Sequence, residues 1–156
     1  VPDRAVSSTL GIALLLLVTV VLAATVGAVA LASVPAETAT PTPVALAVSA
    51  SDADDRLTFT HRAGPTLAVD ELTVRVSVDG TPLDNQPPVP FFSATGFRSG
   101  PTGPFNVASD GGWSAGETAS LRVASTNSPA LEPGHRVTVR IAVDGNVVAQ
   151  LSTTVS

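Results

Sequence analysis

The sequence predicts an α+β chain: a long N-terminal hydrophobic α-helix followed by an antiparallel β-sandwich. Three observations lead there. Residues 5–36 carry no charged side chain. From Val44 onward, apolar residues recur at every second position, which is the period of a half-buried strand. Between the two lies VPAETATPTP, residues 34–43, whose prolines end a helix and favour an extended connection. The expected organisation is therefore residues 1–34 as helix, 35–43 as a Thr/Pro linker and 44–156 as a β head.

The helix comes first. From Ala5 to Ser33 it would run about 43 Å, against a bilayer hydrocarbon core of about 30 Å. It also exceeds the apolar region of a secretory signal, which reaches about 15 residues. Arg4 stands before the uncharged run and Glu37 is the first charge after it. Positive charge stays on the cytoplasmic side, so the N-terminus is expected inside and the head outside. On a helical projection Leu15, Val18, Leu22, Val26 and Val29 form one bulky stripe. Ala23, Ala24, Gly27 and Ala30 gather opposite, around a small-xxx-small pair at Ala23 and Gly27. Small faces let helix backbones approach closely where lipid supplies no hydrophobic drive. Alanine and glycine are also simply common in membrane helices. The expected helix-packing positions are Leu15, Val18, Leu22, Ala23, Ala24, Val26, Gly27 and Val29.

In the linker, Thr38, Thr40 and Thr42 lie among prolines and are candidates for O-linked sugar, a plain linker being the simpler reading. No N-x-S/T sequon occurs.

The head follows as a series of short alternating runs. Val44, Leu46, Val48 and Ala50 make the first, and Asp52 to Asp55 read as a turn. Leu57, Phe59 and His61 alternate next, with His61 at the strand end, before Gly64-Pro65 breaks the chain. Leu72, Val74, Val76 and Val78 form a strand ending at Asp79-Gly80. Residues 84–112 are rich in proline and glycine and have no period; Phe91, Phe92, Phe97 and Phe105 within them are expected to plug one end of a core. Ala119, Leu121 and Val123 alternate again. Val137, Val139, Ile141 and Val143 make the strongest strand, and residues 147–155 return beside it. Short strands punctuated by turns indicate an immunoglobulin-like antiparallel sandwich.

The last hairpin admits two registers. A two-residue Asp144-Gly145 turn places Ile141 opposite Val148 and Val139 opposite Gln150, which puts Gln150 on the apolar face. A three-residue loop, Asp144 to Asn146, pairs Val143, Ile141 and Val139 with Val147, Ala149 and Leu151, all apolar. The three-residue loop is favoured, with Asn146 accepting the left-handed conformation it needs.

Little points to chemistry. The 156 residues include no cysteine, so there is no disulfide framework, thiol nucleophile or cysteine metal site. All eight basic residues are arginine, and a net charge of −5 argues against a nucleic-acid partner. His61 and His135 form a conceivable metal or acid-base pair; ordinary strand-end polar groups are the favoured reading. Asp52, Asp54 and Asp55 invite a calcium reading, but Arg56 and Leu57 stand where further oxygen ligands and a glycine are needed. No G-x-S-x-G elbow supports a catalytic triad, and Gly111-Gly112 leads to Trp113 rather than into a phosphate-binding helix. Trp113 itself reads as core or rim packing in preference to a sugar platform. No catalytic residue, cofactor or metal is expected.

The run from Asp3, DRAVSSTLGIALLLLVTVVLAATVGAVAL, resembles the N-terminal region of archaeal type IV pilins, haloarchaeal ones above all. Those read R-x-V-S-P-V-I-G ahead of an apolar helix. Arg4, Val6, Ser7 and Gly11 match; Ser8 replaces the usual proline, and Thr9 and Leu10 replace the next pair. TFTHRAGPTLAVDELTVRVSVDG, WSAGETASLRV and EPGHRVTVRIAVDG resemble, more loosely, the β-rich region of haloarchaeal pilin-like proteins. The resemblance implies that a prepilin peptidase trims a short basic leader. It implies a subunit held in the cytoplasmic membrane before assembly. An assembly ATPase and a membrane platform protein then build it into an extracellular adhesion filament, a homo-polymer with the helix at its core. An archaellin or a minor pilin would fit the same pattern. A single-pass membrane-anchored binding domain is a reading from a different class, and an enzyme is the least favoured.

Overall fold

In a computed structural model, residues 3–32 and 43–156 are described, and they belong to two compact units, 1–41 and 42–156. The first contains helix α1, Asp3–Ala32. It is continuous through Gly11 and Gly27, with no proline to interrupt its hydrogen-bond ladder.

The second unit is built from antiparallel sheets. Its strands are β1 (Ala45–Ser51), β2 (Arg56–Ala63), β3 (Leu67–Ala68), β4 (Leu72–Val78), β5 (Thr81–Pro82), β6 (Gly112–Trp113), β7 (Thr118–Arg122), β8 (Arg136–Val143) and β9 (Asn146–Thr154). They form a three-stranded sheet, β1-β2-β7, a four-stranded sheet, β5-β4-β8-β9, and a small pair, β3-β6. The chain is thus α+β, an apolar helix followed by antiparallel sheets.

Alternation places the core. Leu57, Phe59 and His61 of β2, Val74, Val76 and Val78 of β4, and Val137, Val139 and Ile141 of β8 are all buried, while Arg75 and Arg140 between them are exposed. Every member of the main apolar cluster lies between Leu46 and Val155. The first and last strands of the unit meet at one seam. Val155 bridges Ala50 in parallel, Ser156 N donates to Ala50 O at 3.2 Å, and Asp52 N donates to Ser156 O at 3.2 Å.

The final hairpin differs from the expected register. Its loop has two residues, Asp144 and Gly145, with φ of 47° and 79°, so Val143 pairs with Asn146, and Asn146 begins β9 instead of sitting in the loop. Two consecutive positive φ values are what a type I′ turn requires, and Asp-Gly supplies them. A bulge then absorbs one residue, Val148, between the pairs Ala142–Val147 and Ile141–Ala149. Beyond it, Ile141 and Val139 face Ala149 and Leu151, and Gln150 stands opposite Arg140 on the polar face. Turn chemistry therefore sets the loop and core burial sets the distant pairs. Val147, expected on the apolar face, lies on the turn side of the bulge and is exposed.

Two further expectations are corrected. Phe91, Phe97 and Phe105 are buried, but Phe92, the neighbour of an inward-facing residue, is 59 % exposed. His61 is not at a strand end; it lies inside β2 and is fully buried. Its Nδ1 is 2.9 Å from Trp113 O and its Nε2 3.2 Å from Ala63 O. Phe59, Phe105, Trp113 and His61 form a chain of tilted ring contacts, with successive centroids 5.1, 5.3 and 5.6 Å apart.

Segment 84–112 is fixed by side-chain amides. Gln86 Oε1 accepts from Val76 N at 2.7 Å, and Gln86 Nε2 donates to Val76 O at 3.0 Å and to Leu83 O at 2.9 Å. Asn127, itself buried, binds Asn85 and Gly96 in the same manner.

Candidate functional site

The largest feature that the β core does not use is the surface of α1. Residues 8–28 are long and apolar enough to cross a membrane, and none of them is buried. Leucine, valine and isoleucine cover it on all sides: Leu15, Val18, Leu22 and Val26 are exposed, and so are Leu14, Leu16, Leu17 and Val21. A helix that is apolar all round is suited to a membrane span or to burial within protein, and at the N-terminus the same composition also serves as a signal.

Its hydroxyls make no demand on either surrounding at two positions in the span. Thr19 Oγ1 donates to Leu16 O at 2.8 Å, and Thr25 Oγ1 donates to Leu22 O at 2.9 Å. Both polar side chains are satisfied by their own helix, which removes much of the cost of immersing them in hydrocarbon.

Ala23, Ala24 and Gly27 lie within this span. A Cβ placed on Gly27 would meet nothing within 4 Å, so the shallow position beside it is open in the single chain. Val29 and Ala30 belong to α1, but their side chains fall outside the described set. Thr38, Thr40 and Thr42, and the linker apart from Pro43, also lie outside the described residues.

The residues considered for chemistry are dispersed. His61 is in the core, whereas His135 is on the surface, with Nδ1 3.2 Å from Asp79 Oδ2 and Nε2 3.6 Å from Glu132 Oε2. Asp52 to Asp55 form the turn between β1 and β2, and Asp54 and Asp55 face arginines, not one another's ligands. Trp113 is fully buried and donates from Nε1 to Glu117 O at 3.2 Å, so its ring is no platform for a sugar. No group of three metal-ligating side chains occurs among the described residues.

Sequence reasoning missed an arrangement on the outer face of the three-stranded sheet. Arg56 of β2 and Arg122 of β7 are direct cross-strand partners, and Arg98 N donates to Arg122 O at 2.9 Å. In sequence Arg98 lies 42 positions after Arg56 and 24 before Arg122, so only the β2–β7 register and the Phe97–Val123 bridge bring the three together.

The chain matches no protein-family model, and comparison with curated proteins finds none similar to it.

Proposed function

We propose that the chain is a structural subunit of an extracellular archaeal type IV adhesion pilus. It polymerises through α1 and displays the β unit outward as an immunoglobulin-like sandwich. One observation carries the reading: a 21-residue apolar span, Ser8–Ala28, of which no part is buried, in a chain whose β core is made entirely of other residues. Such a surface needs lipid before assembly and neighbouring helices after it. The match of Arg4, Val6, Ser7 and Gly11 to the pilin N-terminal pattern supports the same reading. The function is non-enzymatic, and self-association is the principal partnership, with a prepilin peptidase, an assembly ATPase and a platform protein acting before it.

The span alone supports a second reading, a single-pass anchor carrying a binding domain outside the cell. Negative-stain microscopy of sheared surface material, with antibody against the β unit, separates the two. Decorated filaments are expected. Antigen that stays wholly in the membrane fraction, with no filament decorated, would leave the anchor.

A further inference from the structure

The outer face of sheet β1-β2-β7 carries a row of three arginines. Phe97 bridges Val123 in antiparallel register, which sets Arg98 opposite Arg122, and Arg122 is opposite Arg56. Directly opposed residues of antiparallel strands project from the same face, and like charges so placed destabilise the sheet. Three of the eight arginines of a chain with net charge −5 are therefore gathered in one row, against their mutual repulsion.

Neutralisation is incomplete. Arg56 Nε lies 3.8 Å from Asp54 Oδ2, and Arg98 Nη2 lies 3.3 Å from Asp55 Oδ2. Arg122, in the middle, makes no side-chain hydrogen bond or ion pair among the described residues. All three line one cleft of about 150 Å³, with Gly100, Thr102 and Ser120. The cleft is smaller than the roughly 300–1,000 Å³ of pockets that take drug-sized ligands, and it suits a single small group.

The floor of the cleft adds directed donors. Ser120, buried, accepts from Arg56 Nη1 at 3.2 Å and shares a 2.7 Å hydrogen bond with Thr102 Oγ1. That bond consumes one of the two hydroxyl protons, so the other is left for a ligand. Guanidinium groups on three neighbouring chain segments, with a hydroxyl beneath, present donors from several directions. A planar carboxylate has two oxygens to receive them; a tetrahedral oxyanion has more.

We propose that this arginine row is a binding site for a tetrahedral oxyanion, sulfate or phosphate, free or as an ester on a larger molecule. The anion satisfies Arg122 and cancels the repulsion along the row. The site lies on the β unit and does not depend on polymerisation through α1.

The test uses the full chain in non-ionic detergent, at ionic strength held constant with chloride. Sodium sulfate and dextran sulfate are the probes, with calorimetry and thermal unfolding as readouts. The wild type should bind sulfate saturably by about 10 mM and gain thermal stability with it. Arg122→Gln and Arg98→Gln should each weaken binding by about tenfold or more. Arg122→Gln should unfold no earlier than the wild type without sulfate, because it removes the central like charge. Arg62→Gln, elsewhere on the surface, should bind as the wild type does. Tighter binding of dextran sulfate per sulfate group, still lost in Arg122→Gln, assigns the site to an ester on a polymer; equal binding, also lost, assigns it to the free ion. Absence of saturable binding, or equal binding by Arg122→Gln and the wild type with either probe, overturns the proposal.

Discussion

The side chain of Asn127 pairs with the backbone of Asn85 as a neighbouring strand would: Oδ1 accepts from Asn85 N and Nδ2 donates to Asn85 O, both at 2.9 Å. The same amide reaches Gly96 O at 3.1 Å. One residue thereby uses nearly all its hydrogen-bonding capacity to hold two parts of a segment that has no strand of its own there.

Asn127→Ala should lower stability by about 2–4 kcal/mol, since it leaves both the N–H and the C=O of half-buried Asn85 without their partner, whereas Gly96 O keeps its bond from Ala124 N. Denaturant unfolding followed by the fluorescence of Trp113, the single tryptophan, measures this. A loss under about 0.5 kcal/mol, the level of an ordinary surface change, would show that water replaces the amide at no cost.

The two faces of β8 give a direct contrast. Ile141 is fully buried, and Arg140 on the other face is exposed and hydrogen-bonds Gln150 at 3.1 Å. Ile141→Ala should cost roughly 2–5 kcal/mol and Arg140→Ala no more than about 0.5 kcal/mol. Comparable losses from the two would contradict the facing.

Two glycines with positive φ should respond differently to the same methyl group. At Gly145, φ is 79° and an added Cβ meets nothing within 4 Å. Gly145→Ala should therefore cost only the conformational penalty, about 1–2 kcal/mol. At Gly103, φ is 63° and the Cβ would collide with the Thr118 carbonyl oxygen. Gly103→Ala should cost more than Gly145→Ala and shift the midpoint of unfolding further. The reverse order would mean that the backbone at Gly103 yields easily.

Gly27→Leu tests the helix surface. Leucine favours insertion by about 0.5 kcal/mol, so the amount of protein in the membrane should hold or rise. In a filament the bulky side chain would overpack a close helix contact, at about 1–3 kcal/mol per site, repeated in every subunit. Sheared filaments should be scarce while the membrane pool is normal. Filaments at wild-type abundance would remove Gly27 from the packing positions.

Orientation is accessible because the chain has no cysteine. Ser125→Cys, at an exposed turn, should react with a membrane-impermeant maleimide on intact cells. Labelling only after lysis would reverse the expected topology.

The parts of this fold visible in the sequence are those with a local period. The apolar run of α1 and the alternation of Leu57, Phe59 and His61, or of Val137, Val139 and Ile141, each show their element and its buried face within a few residues. Hidden from that reading are bonds between distant positions. Gln86 imitates a strand for Val76, and nothing near either residue announces it. The bulge at Val148 was hidden for a different reason: a turn preference and a burial preference, each legible alone, disagree by one residue, and the bulge reconciles them. The arginine row escaped because Arg56, Arg98 and Arg122 become neighbours only when three segments fall into register.

The seam where Val155 meets Ala50 bears on how the β unit would carry mechanical load. A pull directed along β1 from its first residue meets a ladder on one side, from Ala45–Ala63 to Ser51–Arg56, and the parallel contact of residues 155 and 156 on the other. Antiparallel hydrogen bonds run perpendicular to their strands. Lengthwise tension therefore loads the whole ladder in shear at once, where a sideways pull would peel it one bond at a time. The strand nearest the helix in sequence is thus held by a full ladder on one edge and by a short parallel contact at its far end on the other, in a geometry that resists traction along its length.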